Sequence, residues 1–271
     1  MIAKDTLFFL QHTIEGDLYF DELHKAIYAT DASVYRKVPL AVACPKSKTD
    51  IKALIAFAKD HRVSLIPRAA GTSLAGQCVG EGIIVDVSRY FTGILHVDAA
   101  ARTVTVEPGV IRDELNAHLQ PYGLFFGPNT STSNRCMIGG MTGNNSSGTT
   151  SIKYGVTRDK VVEIEAVLSD GSEVVFSPLS VEEFNRKTAL PGLEGTIYKT
   201  IEKALSAPEA AQNILKNYPK PGIHRRNTGY AIDELIKMQP FDPEGGRFNL
   251  CKLITGSEGT LAFITRITLR L

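Results

Sequence analysis

Residues 127–155, GPNTSTSNRCMIGGMTGNNSSGTTSIKYG, form the stretch that decides the fold. The run is crowded with Gly, Ser, Thr and Asn, yet Met137, Ile138 and Met141 interrupt it as apolar anchors. A disordered low-complexity linker is the plain alternative. Its position in mid-chain between predicted strands and its lack of a charge run favour an ordered loop, and long loops inside compact domains are usually functional.

The small residues of this loop suit a ligand that lies against the main chain. Glycine lets a backbone approach a ligand closely, and short polar side chains supply donors and acceptors of hydrogen bonds. Such a surface suits a large, polar, partly planar molecule. The residues concerned are Gly139, Gly140, Gly143, Asn144, Asn145, Ser146, Ser147 and Gly148.

A second glycine-rich segment, PRAAGTSLAG at residues 67–76, follows a predicted strand at residues 63–66. Consecutive N–H groups in such a turn can form an anion-binding nest, to which Thr72 and Ser73 add hydroxyl donors. A simple tight turn is the alternative, because glycine-rich turns are common. The chain has no Gly-x-x-x-x-Gly-Lys-Ser/Thr, and no Gly-x-Gly-x-x-Gly opens a helix after a strand, which excludes the P-loop and Rossmann types. A Gly-x-Ser-x-Gly elbow is also missing, which argues against a hydrolase.

The composition bounds the class of protein. The chain has 271 residues, 43% hydrophobic and 22% charged, which is an ordinary globular composition for one large or two small domains. A net charge of +1 gives no indication of nucleic acid as a partner. No apolar run approaches the roughly 20 residues of a transmembrane segment, and the N-terminus lacks signal-peptide features. The cysteines are scattered without a Cys-x-x-Cys pair, so we expect no metal site in this chain and a cytoplasmic location.

Hydrophobic periodicity predicts an α/β piece followed by a larger α+β piece. Short helices reach to about Tyr28, and Thr49 is the predicted N-cap of the next helix. Asp170-Gly171 predicts a hairpin turn, and a strand is predicted to resume at Leu250. The other predicted strands are 41–45, 63–66, 83–87, 94–97, 103–107, 161–168 and 173–176, and the other predicted helices are 111–123, 181–206 and 208–215.

Four motifs together resemble one family. They are PRAAGTSLAG (67–76), VEPGV (106–110), the run at 127–155 and TGSEGTLAFIT (255–265), and they occur in the order and spacing of the FAD-binding domain of the vanillyl-alcohol oxidase/p-cresol methylhydroxylase (PCMH) superfamily. YATDASVYRKVPLAVACPKSKTDI (28–51) and HRRNTGYAIDELI (224–236) are similar to the branch of glycolate oxidase flavoprotein subunits and D-lactate and D-2-hydroxyglutarate dehydrogenases. The resemblance covers almost the whole chain.

The resemblance implies an α+β fold of two α/β subdomains with FAD in the cleft between them. Residues 1–95 would form the first subdomain and residues 96–271 the second. In the first turn, cofactor contacts are implied for Pro67, Arg68, Ala69, Ala70, Gly71, Thr72 and Ser73, of which residues 68–73 would cradle the pyrophosphate. Further contacts are implied for Pro128, Ser131, Thr132, Gly139, Gly140, Gly143, Asn144, Asn145, Ser146 and Gly148 along the flavin, for Val161 near the adenine, and for Glu258, Gly259, Thr260 and Ile264 closing the site.

Three further features bear on the chemistry. Some superfamily members attach the flavin through a histidine in the first turn; this turn has none, so non-covalent FAD is expected. The cluster His224-Arg225-Arg226 permits either a plain basic surface patch or an arginine fork for a substrate carboxylate. Cys136 is expected to pack in the loop, because no second cysteine is placed to form a disulfide with it.

The function that the resemblance implies is oxidation of a 2-hydroxy acid of the glycolate, D-lactate or D-2-hydroxyglutarate type, by hydride transfer to FAD. A non-catalytic FAD-carrying module and an oxidase of a sugar or aldehyde remain open. Members of this branch continue into a substrate cap, and some carry iron–sulfur modules, whereas this chain stops at Leu271. We therefore expect a missing cap or partner subunit, an iron–sulfur electron acceptor, and membrane association only through a partner. The catalytic base is unknown.

Overall fold

The computed structural model describes residues 2–220, 222–223, 225–226 and 229–271. His224, Asn227 and Thr228, which the sequence motifs include, lie outside the described residues. The chain forms two β-sheets, each with its own hydrophobic core. Within the described ranges, no helix combines the length and the apolar character that crossing a membrane requires.

The first sheet has four strands in the order β1-β2-β4-β3, of which β2, β3 and β4 are parallel and β1 is antiparallel. Strands β2 and β4 are buried along their whole lengths, as expected of apolar strands inside a parallel sheet. The elements of this part are α1 (Lys4–Thr13), β1 (Asp17–Tyr19), α2 (Glu22–Tyr28), β2 (Ala41–Cys44), α3 (Lys48–His61), β3 (Leu65–Arg68) and β4 (Ile83–Asp86).

The start of α3 differs from the prediction. The hydroxyl of Ser47 accepts the main-chain N–H of Asp50 at 3.2 Å, so Ser47 is the N-cap, and the prediction of Thr49 as the cap is wrong. Thr49 already lies in the first turn of the helix. Ser47 precedes the helix and lies three residues before Asp50, whose N–H has no partner within the helix. Ile51 and Leu54 are fully buried on the inner face of α3, as the periodicity predicts.

The second sheet has five strands in the order β5-β6-β9-β7-β8, with every neighbouring pair antiparallel. The predicted hairpin is present between β7 and β8, with Gly171 at a φ of 84°. The elements are β5 (Ile94–Asp98), β6 (Thr103–Val106), α4 (Arg112–Leu119), a 3₁₀ turn (Gln120–Tyr122), α5 (Ile138–Asn144), α6 (Ser151–Tyr154), α7 (Thr157–Lys160), β7 (Val161–Val167), β8 (Glu173–Phe176), α8 (Val181–Thr188), α9 (Gly192–Leu205), α10 (Pro208–Asn217), α11 (Ile232–Leu235), α12 (Cys251–Ile254) and β9 (Phe263–Arg270).

Three local predictions need correction. The run 127–155 is not wholly a loop, because α5 forms in its centre, where burial of Ile138 and Met141 outweighs the low helix propensity of glycine. Leu250 starts no strand; the side chain of Asn249 accepts the N–H of Cys251 at 2.9 Å and a helical turn follows. Strand β1 was not predicted, because three residues carry too little periodicity.

The two sheets meet directly. Val167 at the end of β7 and Phe263 at the start of β9 are buried in the core of the first sheet. Ion pairs join α3 to the second sheet beside this contact, from Lys48 Nζ to Glu165 Oε2 at 2.5 Å and from Lys52 Nζ to a carboxylate of β8 at 2.5 Å. The division at residue 95 falls inside β5, a strand of the second sheet, and stays a prediction.

We predict that Glu165→Gln lowers the free energy of unfolding by about 1 kcal/mol at pH 7, because Lys48 loses a partly buried partner. Burial raises the pKa of Glu165, but hydrogen bonds and charge from Lys48 and Arg266 outweigh it and lower the pKa overall. The contribution is therefore complete above the ordinary carboxyl pKa of 4.5 and is lost as the pH falls through the folded value. Urea unfolding between pH 7 and pH 3 measures it.

The control for this test is Lys37→Met, which breaks the exposed ion pair of Lys37 and Glu81. Both side chains are more than half exposed, so a change within about 0.5 kcal/mol is expected. Equal losses in the two variants, or a Glu165 effect that does not shrink in acid, would contradict the assignment.

Candidate functional site

A cavity of about 480 Å³ lies between the two sheets. Its volume falls within the usual range of small-molecule sites. The end of β3, the following turn and Val87 after β4 form one wall, and α5, residues 258–259 and the start of β9 form the other. Ligands of α/β sheets commonly bind outside the carboxyl ends of the strands, and this cavity lies at the carboxyl ends of β3 and β4.

Arg68 is the last residue of β3, and its side chain holds the first turn in place by hydrogen bonds to a neighbouring segment. Its Nη1 donates to the carbonyl of Thr30 at 2.8 Å and to that of Tyr28 at 3.4 Å, and its guanidinium lies 5.1 Å from the centre of the Tyr28 ring. Gly71 has a φ of 65°, a conformation that favours glycine, and its carbonyl accepts the N–H of Ala32. Arg68 therefore ties the turn to the segment after α2 while its side chain still lines the cavity.

Tyr28 is in turn held by a buried carboxylate. Its hydroxyl donates to Asp86 Oδ2 at 2.6 Å, and Asp86, at the end of β4, is 5% exposed. Burial, together with the hydrogen bond to Asp86, raises the pKa of Tyr28 well above its usual range. Tyr28 thus stays a neutral hydrogen-bond donor, and the hydrogen bond to Asp86 fixes the ring against which the Arg68 guanidinium lies.

Two of the three glycines of α5, Gly140 and Gly143, are explained by the cavity rather than by protein packing. A Cβ at Gly140 would meet only the Cβ of Ala69, at an ordinary 3.5 Å, and one at Gly143 would meet nothing closer than 3.9 Å. A Cβ at Gly139, in contrast, would come within 2.5 Å of Pro108. Glycine inside a helix costs roughly 0.5–1 kcal/mol relative to alanine. Open space in front of Gly140 and Gly143 therefore indicates that a ligand needs the room.

Two polar side chains face each other at the cavity. Glu258 has a φ of 55°, unusual outside glycine, and its N–H donates to the carbonyl of Gly143 at 2.9 Å. Partial burial raises the pKa of Glu258, and a hydrogen bond from Gln77 opposes the rise. The Oε1 of Gln77 is buried and lacks a partner among the described residues, so it is available to a ligand donor. An elongated ligand rich in hydroxyl and N–H groups, as FAD is, fits this set.

Most of the residues predicted to contact the cofactor lie in the cavity wall. They are Pro67, Arg68, Ala69, Ala70, Gly71, Thr72, Ser73, Ser131, Gly139, Gly140, Gly143, Asn144, Ser146, Glu258, Gly259 and Ile264. Their contact with FAD itself stays a prediction.

Six predicted residues lie outside the cavity wall, and structural roles account for them. Val161 is buried in the core of the second sheet, and a Cβ at Gly148 would overlap the carbonyl of Asn129. The other four form hydrogen bonds within the protein: the Pro128 carbonyl with Arg112, the Thr132 carbonyl with the Cys136 N–H, the Asn145 side chain with the Arg158 N–H, and the Thr260 hydroxyl with the Ser257 carbonyl.

The wall also contains residues that the prediction did not name as cofactor contacts. Gln77 and Val87 lie outside the four sequence motifs, whereas Phe263 lies within the motif at 255–265 but was not predicted as a contact. Cys136 is buried beside Thr130 and Met141, and burial raises the pKa of its thiol, which agrees with a packing role. The full set is Leu74, Ala75, Gln77, Cys78, Val87, Pro108, Thr130, Cys136, Met137, Met141, Ser147, Arg225, Ala262 and Phe263.

Residues 39–177 match the family described as FAD binding domain. The match covers just over half of the 271 residues, and the chain belongs to this family. The predicted family, the fold class and FAD as cofactor are thereby confirmed, while non-covalent attachment stays a prediction.

Among its relatives, the chain is 37% identical over 262 residues to a D-2-hydroxyglutarate dehydrogenase of Escherichia coli (strain K12), covering 96% of this chain and 25% of that protein. It is 32% identical over 228 residues to the glycolate oxidase subunit GlcD of Bacillus subtilis (strain 168), covering 80% and 48%. The chain thus spans about a quarter of the length of the dehydrogenases that it matches. Among solved structures, an alkyldihydroxyacetonephosphate synthase shares the fold with a TM-score of 0.66 at 18% identity, over all of this chain and 40% of that one.

We predict opposite effects of substitution at Gly140 on stability and on FAD binding. Gly140→Ala should stabilise the FAD-free chain by about 0.5–1 kcal/mol, because helix propensity rises without a clash. Gly140→Leu should abolish FAD binding, because its side chain fills the ligand space. Thermal unfolding and quenching of flavin fluorescence on titration measure the two effects.

The matched control is Gly139→Ala on the same helix, which should destabilise the FAD-free chain because its Cβ would strike Pro108. Tight FAD binding by Gly140→Leu would show that this face of α5 does not meet the cofactor.

Proposed function

We propose that this chain forms the FAD-binding part of an enzyme that oxidises a 2-hydroxy acid. One observation carries the proposal: the cavity between the sheets is built from the glycine-rich segments that mark the FAD-binding family, in a chain similar along 96% of its length to a D-2-hydroxyglutarate dehydrogenase. FAD, when bound, supplies a two-electron acceptor for a hydride from the substrate carbon. The chain's own residues bind and orient the cofactor and exclude water.

The roles within the site follow from its chemistry. The turn at residues 69–73 offers N–H groups and the hydroxyls of Thr72 and Ser73 to the pyrophosphate, with the positive charge of Arg68 beside them. The open face of α5 gives room to the planar part of the cofactor. Gln77 and Glu258 offer an acceptor and a polar carboxyl to its hydroxyl or N–H groups.

A cofactor-carrying module that needs another polypeptide segment for catalysis is the second candidate. It is favoured by the composition of the cavity wall: among its described residues Glu258 is the only carboxylate and none is a histidine. Oxidation of an alcohol needs a group that accepts the hydroxyl proton. In this alternative, that group comes from outside the described wall.

The deciding experiment is anaerobic mixing of the FAD-loaded chain with D-2-hydroxyglutarate, D-lactate, glycolate, an aldose and an aldehyde. Bleaching of the flavin absorbance by a 2-hydroxy acid supports the proposed oxidation. No bleaching by any compound, in protein shown to be saturated with FAD, favours the module. Bleaching by the sugar or the aldehyde alone would overturn the proposed substrate class.

Arg68→Glu is predicted to abolish FAD retention, because it places a negative charge beside the pyrophosphate. Arg68 also holds the carbonyls of Tyr28 and Thr30, so circular dichroism must first show that the variant folds. Arg68→Gln keeps a donor without the charge and should retain weakened binding. A folded Arg68→Glu variant with the flavin content of the wild type would refute the placement.

The flavin is predicted to be non-covalent. Acid precipitation of the FAD-loaded chain should release the yellow chromophore into the supernatant, because the first turn offers Thr72 and Ser73 where a linking histidine would stand. Absorption spectra of pellet and supernatant measure the partition. Colour retained in a washed pellet would show a covalent bond.

A further inference from the structure

Two consecutive arginines, Arg225 and Arg226, occupy different environments. The Arg226 side chain is 11% exposed, and its Nη2 contacts the carboxylates of Asp233 and of Glu234. Its guanidinium also lies 5.8 Å from the centre of the Tyr218 ring. Arg226 is therefore fully engaged in holding its segment to α11.

Arg225 is exposed and lines the cavity. Among the residues that the structure describes, no carboxylate lies within ion-pair distance of its guanidinium, in contrast to Arg226. An arginine cannot lose its charge at ordinary pH, so Arg225 brings an uncompensated positive charge to the cavity.

Hydrogen bonds of two tyrosines that flank Arg225 in the sequence connect this part of the chain to the edge of the cavity wall. The Tyr218 hydroxyl donates to the carbonyl of Tyr230 at 2.7 Å, and the Tyr230 hydroxyl is 2.7 Å from the hydroxyl of Thr260. Thr260 directly follows Glu258 and Gly259 of the cavity wall. Contacts before and after Arg225 therefore limit how far it can move from the cavity.

The other charged side chains of the cavity wall already have hydrogen-bond partners within the protein. Arg68 donates to the main-chain carbonyls of Tyr28 and Thr30, and the side chain of Glu258 is hydrogen-bonded to Gln77. The first turn has its own donors for the pyrophosphate, which are its N–H groups and the hydroxyls of Thr72 and Ser73. The Arg225 guanidinium, which has no ion-pair partner among the described residues, can therefore match a planar carboxylate with two parallel hydrogen bonds.

We propose that Arg225 binds a carboxylate of the substrate and contributes to selection of acids over neutral alcohols, while Arg226 positions it. This inference rests on the proposed oxidation of a 2-hydroxy acid. The shared chemistry is an anionic oxygen pair, which either the substrate or the cofactor phosphates could offer, and the experiment separates these sources.

The first arm measures the reaction of individual arginines with phenylglyoxal by peptide mass spectrometry. The chain is compared free of FAD, loaded with FAD, and loaded with FAD plus D-2-hydroxyglutarate, with glycerol at the same concentration as the neutral control. We expect D-2-hydroxyglutarate to slow modification of Arg225 several-fold and FAD alone to leave it unchanged. Arg186, whose side chain is 73% exposed and lies outside the cavity wall, is the internal control.

The second arm uses three substitutions. Arg225→Gln should raise the D-2-hydroxyglutarate concentration needed for half-maximal flavin bleaching by roughly tenfold to a hundredfold, the range for losing hydrogen bonds to a charged group. FAD affinity should not change. Arg225→Lys keeps the charge without the fork and should give an intermediate value. Arg226→Gln should lower thermal stability, because Asp233 loses its buried partner.

The outcomes separate this inference from the proposed function. Protection of Arg225 by FAD alone, or a loss of FAD affinity in Arg225→Gln, would assign the residue to the cofactor phosphates and overturn the inference. Bleaching by 2-hydroxy acids with Arg225 unprotected would overturn the inference and leave the proposed function intact. If D-2-hydroxyglutarate neither bleaches the flavin nor protects Arg225, both the inference and the proposed function are overturned.

Discussion

The cavity depends on a close approach between the parts of the chain that carry the two sheets. A Cβ at Gly259 would lie 3.2 Å from Pro67, and one at Gly140 would touch Ala69. Val167 and Phe263 of the second sheet complete the core of the first beside this approach. The contact therefore sets the separation of the cavity walls, and every residue of the site is positioned relative to it.

A buried arginine organises the wall that carries Glu258. Arg158 is 6% exposed, and its guanidinium donates to the carbonyls of Thr255, at 2.7 and 3.1 Å, and of Lys252, at 2.9 Å. In the residues that follow, the N–H groups of Gly256 and Glu258 donate to carbonyls of α5. Carbonyl groups thus accept the hydrogen bonds of the Arg158 guanidinium, and these bonds order an irregular segment where it meets the cavity.

The sequence predicts the parts of the site whose chemistry is local. Glycine-rich turns are evident from composition, so residues 67–73 and the glycines of α5 were predicted, and all of them line the cavity. Val87 and Phe263 were not predicted as contacts, because an apolar residue at the end of a strand has the same local pattern in a core as beside a ligand. Val161 lies in the core of the second sheet and outside the cavity wall, and its contact with FAD stays a prediction. Arg225 and Arg226 share one local pattern, and only the tertiary contacts of Arg226 distinguish them.

Residues of two different hydrophobic cores line the cavity, and this has a thermodynamic consequence. A ligand that touches both walls adds its binding free energy to the contact between the cores, by about 2.7 kcal/mol at a concentration one hundred times its dissociation constant. Linkage is reciprocal. A change at Val167 that loosens the contact between the cores therefore weakens the affinity of the cavity for its ligand, although Val167 is not part of the cavity wall.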